Sequence, residues 1–257
     1  MKAVLLCAGY GTRLYPLTEH QPKPLLLIGG KPMVEHLLEK IEKLVGVEQV
    51  FLVTNDRFYS HFEAWAGKKR FPWKLEVVND GSQTNETRLG AIGDLHFVLK
   101  KFQIRDDIGL FAGDNLFLSE LKGFQSFAES HRPHTSLAVI DVGDRSLARQ
   151  YGIVQAQTDG QIKAFFEKPE DPPATLASTG GYWFARESLD LLDRYASEGH
   201  NADRIGDFIA WLVKVDRVYA YLLEGKWYDI GDLRSYREAD RHFREIQTQD
   251  FQKKGRN

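Results

Sequence analysis

A short stretch near the N terminus gathers residue types that hold phosphate: Gly9-Tyr10-Gly11-Thr12-Arg13-Leu14, followed after a spacer by Pro22-Lys23-Pro24. Glycines at such a turn let the backbone come close to an anion and offer its N–H groups as donors. Arg13 and Lys23 add positive charge that can neutralise a triphosphate. Taken alone the glycine pair is weak evidence, since a structural turn beside two surface cations has the same letters. Two familiar phosphate motifs do not fit. The dinucleotide fingerprint wants a third glycine where Leu14 stands, and the P-loop wants Gly-Lys-Ser/Thr at a spacing absent here, so a nicotinamide-dependent oxidoreductase is disfavoured. Cys7, the single cysteine, lies in an apolar run where a buried, inert thiol is expected. The eight histidines contain no His-Glu-x-x-His, and no zinc site is expected.

The glycine turn must be carried by the element before it. The run from Ala3 to Ala8 reads as a buried strand because it is short, continuously apolar and ended by the turn. After Pro32, residues Met33, Leu37, Leu38, Ile41 and Leu44 share one helical face, with Glu35, Glu39, Lys40 and Lys43 largely opposite and Gly46 closing the helix. Strand-like runs follow at Val50 to Thr54, Leu75 to Val78, Ile108 to Ala112 and Ser136 to Val142, with helical patterns between most of them. This alternation predicts an α/β fold: a mostly parallel twisted sheet, Rossmann-like, with helices on both faces and ligands at the carboxyl ends of its strands. The loops after Ala8, Val78 and Ala112 then matter most. From Tyr151 the texture changes. Runs 152–156 and 161–166 flank Asp159-Gly160 as a β-hairpin, and an aromatic strand is expected around Gly180 to Phe184. Helical patterns near 187–195 and 205–213, a strand at Val218 to Leu223 and a charged helix from about Leu233 complete the chain. This second half reads as an antiparallel extension sharing one core with the first.

Across the spacing from Ala8 to Pro24, the chain closely resembles the sugar-phosphate nucleotidyltransferases, whose first strand runs into Gly-x-Gly-Thr-Arg-Leu and then Pro-Lys-Pro. Later motifs follow in the family's order, and together they cover Met1 to about Asp240. Leu110-Phe111-Ala112-Gly113-Asp114-Asn115 is similar to the strand ending in Gly-Asp, whose carboxylate holds the metal. Trp227-Tyr228-Asp229-Ile230-Gly231 is similar to the Trp-x-Asp-x-Gly that supplies the second metal carboxylate. Glu167-Lys168-Pro169 resembles the Glu-Lys-Pro motif, in which the glutamate meets sugar hydroxyls and the lysine the sugar phosphate, and Tyr151-Gly152 resembles the Tyr-Gly of the acceptor pocket. The resemblance implies a nucleotide site of Ala8, Gly9, Gly11, Thr12, Arg13, Lys23, Gln83, Leu89 and Gly90. It implies an acceptor site of Tyr151, Gly152, Glu167, Lys168 and Gly180, catalytic cations at Arg13, Lys23 and Lys168, and Mg²⁺ held by Asp114 and Asp229. It also implies a single domain with a nucleotide-binding half at 1–145, an acceptor-binding half at 146–240 and a C-terminal helix and tail at 241–257. The chemistry suits these residue types. Nucleotidyl transfer needs an aligned nucleophile and compensated charge more than covalent help, and Mg²⁺ needs few protein oxygens. Each residue has a bland alternative: Asp114 as a turn residue, Asp229 as a cap before Gly231, Lys168 as a solvated lysine. The joint order of the motifs weighs against all of these being accidents.

The implied substrates are a nucleoside triphosphate and a sugar 1-phosphate, with phosphocholine or inositol phosphate as alternative acceptors. A non-catalytic subunit that binds a nucleotide sugar is the reading from a different class. The loop from Asn79 to Gly90 stands where the family reads the base. Leu89-Gly90-Ala91-Ile92-Gly93 is similar to the Leu-Gly-Thr-Ala-Gly of mannose 1-phosphate guanylyltransferases but has Ala91 for the threonine, and the Gly-Leu-Ala-Gln common in thymidylyl- and uridylyltransferases is absent. The base stays open, with Gln83 a candidate reader. The C-terminal repeat domain of some relatives has no counterpart, so no acetyltransferase activity is expected. In bulk, 257 residues with 42% hydrophobic and 27% charged residues suit an ordinary globular protein. A net charge of -2, with no long basic run before the Lys253-Lys254-Gly255-Arg256 tail, argues against nucleic acid as main partner. No apolar run is long enough for a membrane helix, a cytoplasmic protein is expected, and nothing in the sequence sets an oligomeric state.

Overall fold

The computed structural model describes residues 1–254; the Gly255 and Arg256 positions of the expected tail lie outside the described residues. In chain order the strands are β1 (Lys2–Leu6), the short pair β2 (Leu27–Ile28) and β3 (Lys31–Pro32), β4 (Gln49–Thr54), β5 (Lys74–Asn79), β6 (Ile108–Ala112), β7 (Asn115–Phe117), β8 (Thr135–Asp141), β9 (Gly152–Ala156), β10 (Ile162–Glu167), β11 (Leu176–Phe184), β12 (Val218–Leu222) and β13 (Trp227–Asp229). The helices are α1 (Met33–Glu42), α2 (Asp56–Ala66), α3 (Gly90–Lys101), α4 (Lys122–Ser130), the single turn α5 (Arg145–Ala148), α6 (Leu189–Ser197), α7 (Ile205–Val215) and α8 (Leu233–Lys254).

A nine-stranded sheet organises the chain in the order β10-β9-β11-β6-β1-β4-β5, with β8 paired to β11 and β12 to β8. Strands β6, β1, β4 and β5 run parallel, as the βα alternation predicts. Their residues Ala3, Val4, Leu5, Val50, Leu52, Val53, Ile108 and Leu110 are fully shielded from solvent, which is the physical reason these runs lack a polar alternation. The first strand ends at Leu6, two residues earlier than the apolar run suggests, although Cys7 N–H still donates to the Val53 carbonyl at 2.8 Å. Beyond β6 the sheet turns antiparallel through β11, β9 and β10. One pairing departs from the expected antiparallel half: β12 lies parallel to β8. The chain between β8 and β12 runs through β9, β10, β11, α6 and α7, ample length for the crossover that parallel pairing requires.

Strand β11 joins the two halves. Its C-terminal part, Gly181 to Phe184, pairs with β6 on one side and, through Gly181 to Trp183, with β8 on the other, while Ala177 pairs with β9. Between Ser178 and Gly181 the register slips, and Gly180 takes φ 76. A Cβ on Gly180 would stand 3.0 Å from Ala112 Cβ and 3.1 Å from Asn115 Nδ2, so this bulge lets β11 pass close to the carboxyl end of β6. The largest apolar cluster draws on both halves, from Val4, Ile108 and Leu110 to Phe165, Phe184 and Phe208. The long helix α8 returns to the N-terminal half. There Tyr236 Oη donates to the Leu27 carbonyl at 2.9 Å, and Asp240 Oδ1 accepts from Gly29 N–H at 2.8 Å.

Candidate active site

The glycine turn leaves the carboxyl end of β1 as expected. Gly11 adopts φ 63, and its carbonyl accepts from Thr18 Oγ1 at 2.7 Å, which folds the segment 12–18 back under the turn. A Cβ on Gly11 would crowd Thr18 at 3.2 Å, so both the left-handed backbone and the space call for glycine. A cleft opens here, lined by Gly9, Gly11, Thr12, Arg13, Lys23 and Asp114. Lys23 is largely buried, and its ammonium reaches Asp114 Oδ2 at 2.7 Å. The Ala8 carbonyl is occupied by Asn55 Nδ2 at 2.8 Å, so this residue serves to anchor the turn.

The two acids of the implied metal site come together through a short ladder. Strands β7 and β13 pair antiparallel with Asn115 opposite Asp229, and Ile230 N–H donates to the Asp114 carbonyl at 3.2 Å. Asn115 orients Asp114: its Nδ2 donates to Asp114 Oδ1 at 3.0 Å, while its Oδ1 accepts from Trp227 Nε1 at 2.6 Å. Burial pushes the Asp114 carboxyl up, but the Lys23 ammonium and the Asn115 amide more than offset it and hold the group below its ordinary value. Asp229 goes the other way, pushed up to about 6 by burial and by Asp114, against the pull of Lys23, Arg13 and Lys168. Two acids in mutual repulsion, with cations around them and no third His, Cys, Asp or Glu ligand among the described residues, suit a hard divalent cation that takes its other ligands from phosphate and water.

A second cleft adjoins the first, and Arg13 and Asp114 line both. Its walls include Tyr151, Gly152, Glu167, Lys168, Gly180 and Asp229. Lys168 has φ 47, an uncommon backbone for a lysine, and its N–H donates to the Tyr151 carbonyl at 3.1 Å, which ties the Tyr-Gly and Glu-Lys-Pro segments together. The Tyr151 ring packs edge-on against Trp227 with centroids 5.0 Å apart. Burial, then Asp229 and Asp232, push its hydroxyl up to about 12, so it stays a neutral donor. Burial also raises the Glu167 carboxyl, opposed by Lys168.

The same cleft holds residues that sequence reasoning missed. Gly206 and Arg204 line it from the start of α7. The helix sits so close that a Cβ on Gly206 would lie 1.9 Å from Glu167 Oε2. The helical pattern marked α7 but carried no sign of which β-strand it would touch. Of the residues assigned to base reading, Gln83 and Leu89 are exposed and line neither cleft. Gly90, at φ 81, is buried against Asp203, whose Cα would lie 2.3 Å from an added Cβ. Arg88 forms a two-pronged ion pair with Asp203 at 2.7 and 2.8 Å, joining this loop to the wall of the second cleft.

Residues 2–246 match the family described as Nucleotidyl transferase. The chain belongs to that family. A mannose-1-phosphate guanylyltransferase of Mycobacterium tuberculosis is 34% identical over 231 residues, covering 89% of this chain and 60% of that protein. The bifunctional protein GlmU of Methanocaldococcus jannaschii is 28% identical over 245 residues, covering 94% of this chain and 54% of that protein. This nucleotidyl transferase thus spans little more than half the length of the curated relatives it matches. Among solved structures, a putative glucose-1-phosphate thymidylyltransferase from Bacillus anthracis superposes with TM-score 0.82 at 22% identity, covering 95% of each chain. A UDP-glucose pyrophosphorylase complexed with UDP-glucose superposes with TM-score 0.79 at 23% identity, covering 95% of this chain and 98% of that one. These two likenesses bear on the fold of the nucleotidyl transferase.

Proposed function

We propose that this nucleotidyl transferase is a cytoplasmic, Mg²⁺-dependent enzyme that moves a nucleoside monophosphate from a nucleoside triphosphate onto a sugar 1-phosphate. The observation that carries the reading is the junction of two clefts at Arg13 and Asp114, one walled by the glycine turn and Lys23, the other by Glu167 and Lys168. A phosphate oxygen of the acceptor attacks the α-phosphorus, the bond from that phosphorus to the bridging oxygen breaks, and pyrophosphate leaves. The acceptor is already an anion at neutral pH, so no protein base is needed.

Arg13 and Lys23 compensate the charge of the triphosphate, and Lys168 aligns the acceptor phosphate for in-line approach. Glu167 takes sugar hydroxyls, Tyr151, Gly152 and Gly180 shape the pocket, and Gln83, Leu89 and Gly90 belong to the proposed base-reading loop. Bound Mg²⁺, held by Asp114 and Asp229, supplies charge compensation at the phosphates. The test is a matrix of common nucleoside triphosphates against sugar 1-phosphates, phosphocholine and inositol phosphate, read by pyrophosphate release with Mg²⁺. At least one sugar 1-phosphate pair should give metal-dependent release. Release with phosphocholine or inositol phosphate alone would replace the acceptor, and nucleotide-sugar binding with no release from any pair would make the chain a non-catalytic binder.

A further inference from the structure

Beneath the proposed base-reading loop lies a pair of buried acids that the reaction itself does not use. Asp80 follows β5 and Asp94 sits in the first turns of α3; they are 8% and 4% exposed. Asp80 Oδ1 is engaged, accepting from both the backbone N–H and the hydroxyl of Ser82 at 2.7 Å. Asp80 Oδ2 and Asp94 Oδ1 are both buried with no hydrogen-bond partner among the described residues, and the Asp80 side chain is among the groups that act on Asp94. Two facing carboxylates would repel and leave both oxygens orphaned, whereas a single proton between them satisfies both.

The pair occupies a strategic place. Residues 83–89 are exposed throughout, and both ends of that loop are pinned. At the far end, Ala91 and Ile92 N–H groups donate to the Asp203 and Ala202 carbonyls, each at 3.0 Å. At the near end, Asp80 N–H donates to the Thr54 carbonyl at 2.9 Å, and the Ser82 carbonyl accepts from Asp56 N–H at 2.9 Å and Tyr10 Oη at 3.2 Å. Those bonds tie the near end to β4, α2 and the glycine turn. Toward α3, the group at this end that acts on a buried side chain is Asp80, on Asp94.

We propose that Asp94 is a positioning residue for nucleotide recognition: as a carboxylic acid it donates to Asp80, and this link fixes the near end of the 83–89 loop against α3. The proposal rests on the reading of that loop as the base reader. Burial, then the charge of Asp80, push the Asp94 carboxyl up to about 8, so the link is intact at neutral pH and turns to repulsion as pH rises past that value. The other titratable groups near the pair are Cys7 and Tyr10; burial raises both, and Arg57 and Asp56 act on Tyr10 from α2. No cation offsets Asp94 among the described residues.

The experiment compares the full chain with Asp94→Asn, which keeps a donor toward Asp80 and cannot ionise, and with Asp94→Ala, which removes it. Triphosphate KM and kcat are followed from roughly pH 6 to 10, together with amide exchange over residues 82–90. The wild-type triphosphate KM should rise about tenfold above pH 8 relative to Asp94→Asn, with kcat little changed, and Asp94→Ala should show the raised KM already at neutral pH. Exchange at 82–90 should speed up in the same variant and over the same pH range. Parallel pH profiles for wild type and Asp94→Asn, or an Asp94→Ala enzyme with wild-type KM and exchange, would overturn the proposal. If no substrate pair releases pyrophosphate, the proposed function falls by itself. The exchange measurement still judges the link, which is overturned if all three proteins protect 82–90 equally at neutral pH.

Discussion

Replacing Gly206 by alanine isolates the role of Glu167 without touching Glu167. An added Cβ would lie 1.9 Å from Oε2 and 2.6 Å from Cδ of that side chain. Comfortable contacts lie near 3.5 Å, so the carboxylate must retreat by about 1.5 Å. On the β9 side it faces Gly152, where an added Cβ would stand 3.2 Å from the same oxygen. Glu167 also lines the second cleft, and on the proposed function a carboxylate displaced there meets the sugar in the wrong place. Overpacking of this kind costs about 1–3 kcal/mol, which as lost transition-state binding is about 5- to 150-fold in kcat/KM for the acceptor. The clash falls on the end of a flexible side chain, and alanine is favoured over glycine in a helix by about 0.5–1 kcal/mol, which offsets part of that cost, so the melting temperature should fall by no more than a few degrees. Initial rates with each substrate varied, thermal unfolding, and calorimetry with the triphosphate read these effects separately. Triphosphate affinity should stay near wild type. A variant whose acceptor kcat/KM is also near wild type, with stability unchanged, would refute the assignment of Glu167 to the acceptor.

Lys23→Ala removes the ammonium 2.7 Å from Asp114 and should slow the chemical step by roughly 10² or more, read in single-turnover rates; near-wild-type kinetics would remove Lys23 from the charge-compensating set. Asp114→Asn and Asp229→Asn each delete an anionic oxygen from a two-carboxylate site, and activity measured against Mg²⁺ concentration should shift to higher metal by about tenfold or more. An unshifted metal dependence in both variants would place the ion elsewhere.

Much of the candidate site was legible as a grouping, because the residues that line its clefts sit in short local motifs. The glycine turn, the Gly-Asp at the end of β6, the Glu-Lys-Pro at the end of β10 and the Trp-x-Asp-x-Gly of β13 all fall where the structure places the two clefts. The parallel half was legible for a similar reason: strands buried on both faces lose their polar alternation, which is a local property. The parallel partnership of β12 with β8 was not legible, because hydrophobic pattern marks a strand without specifying the direction of its neighbour.

What the sequence by itself determined is therefore the class of fold and the chemical types gathered at the strand ends. Tertiary structure alone decided the partnerships. Lys23 meets Asp114 from 91 residues away, Trp227 steadies Asn115 from 112 away, and Arg88 meets Asp203 from 115 away. Gly206 acquires its meaning only because α7 packs directly on β10 and leaves no room for a Cβ beside Glu167. Periodicity and motif report what one segment buries or exposes, whereas a contact between distant segments depends on strand order, crossover path and the gap between packed elements, and these are properties of the folded chain.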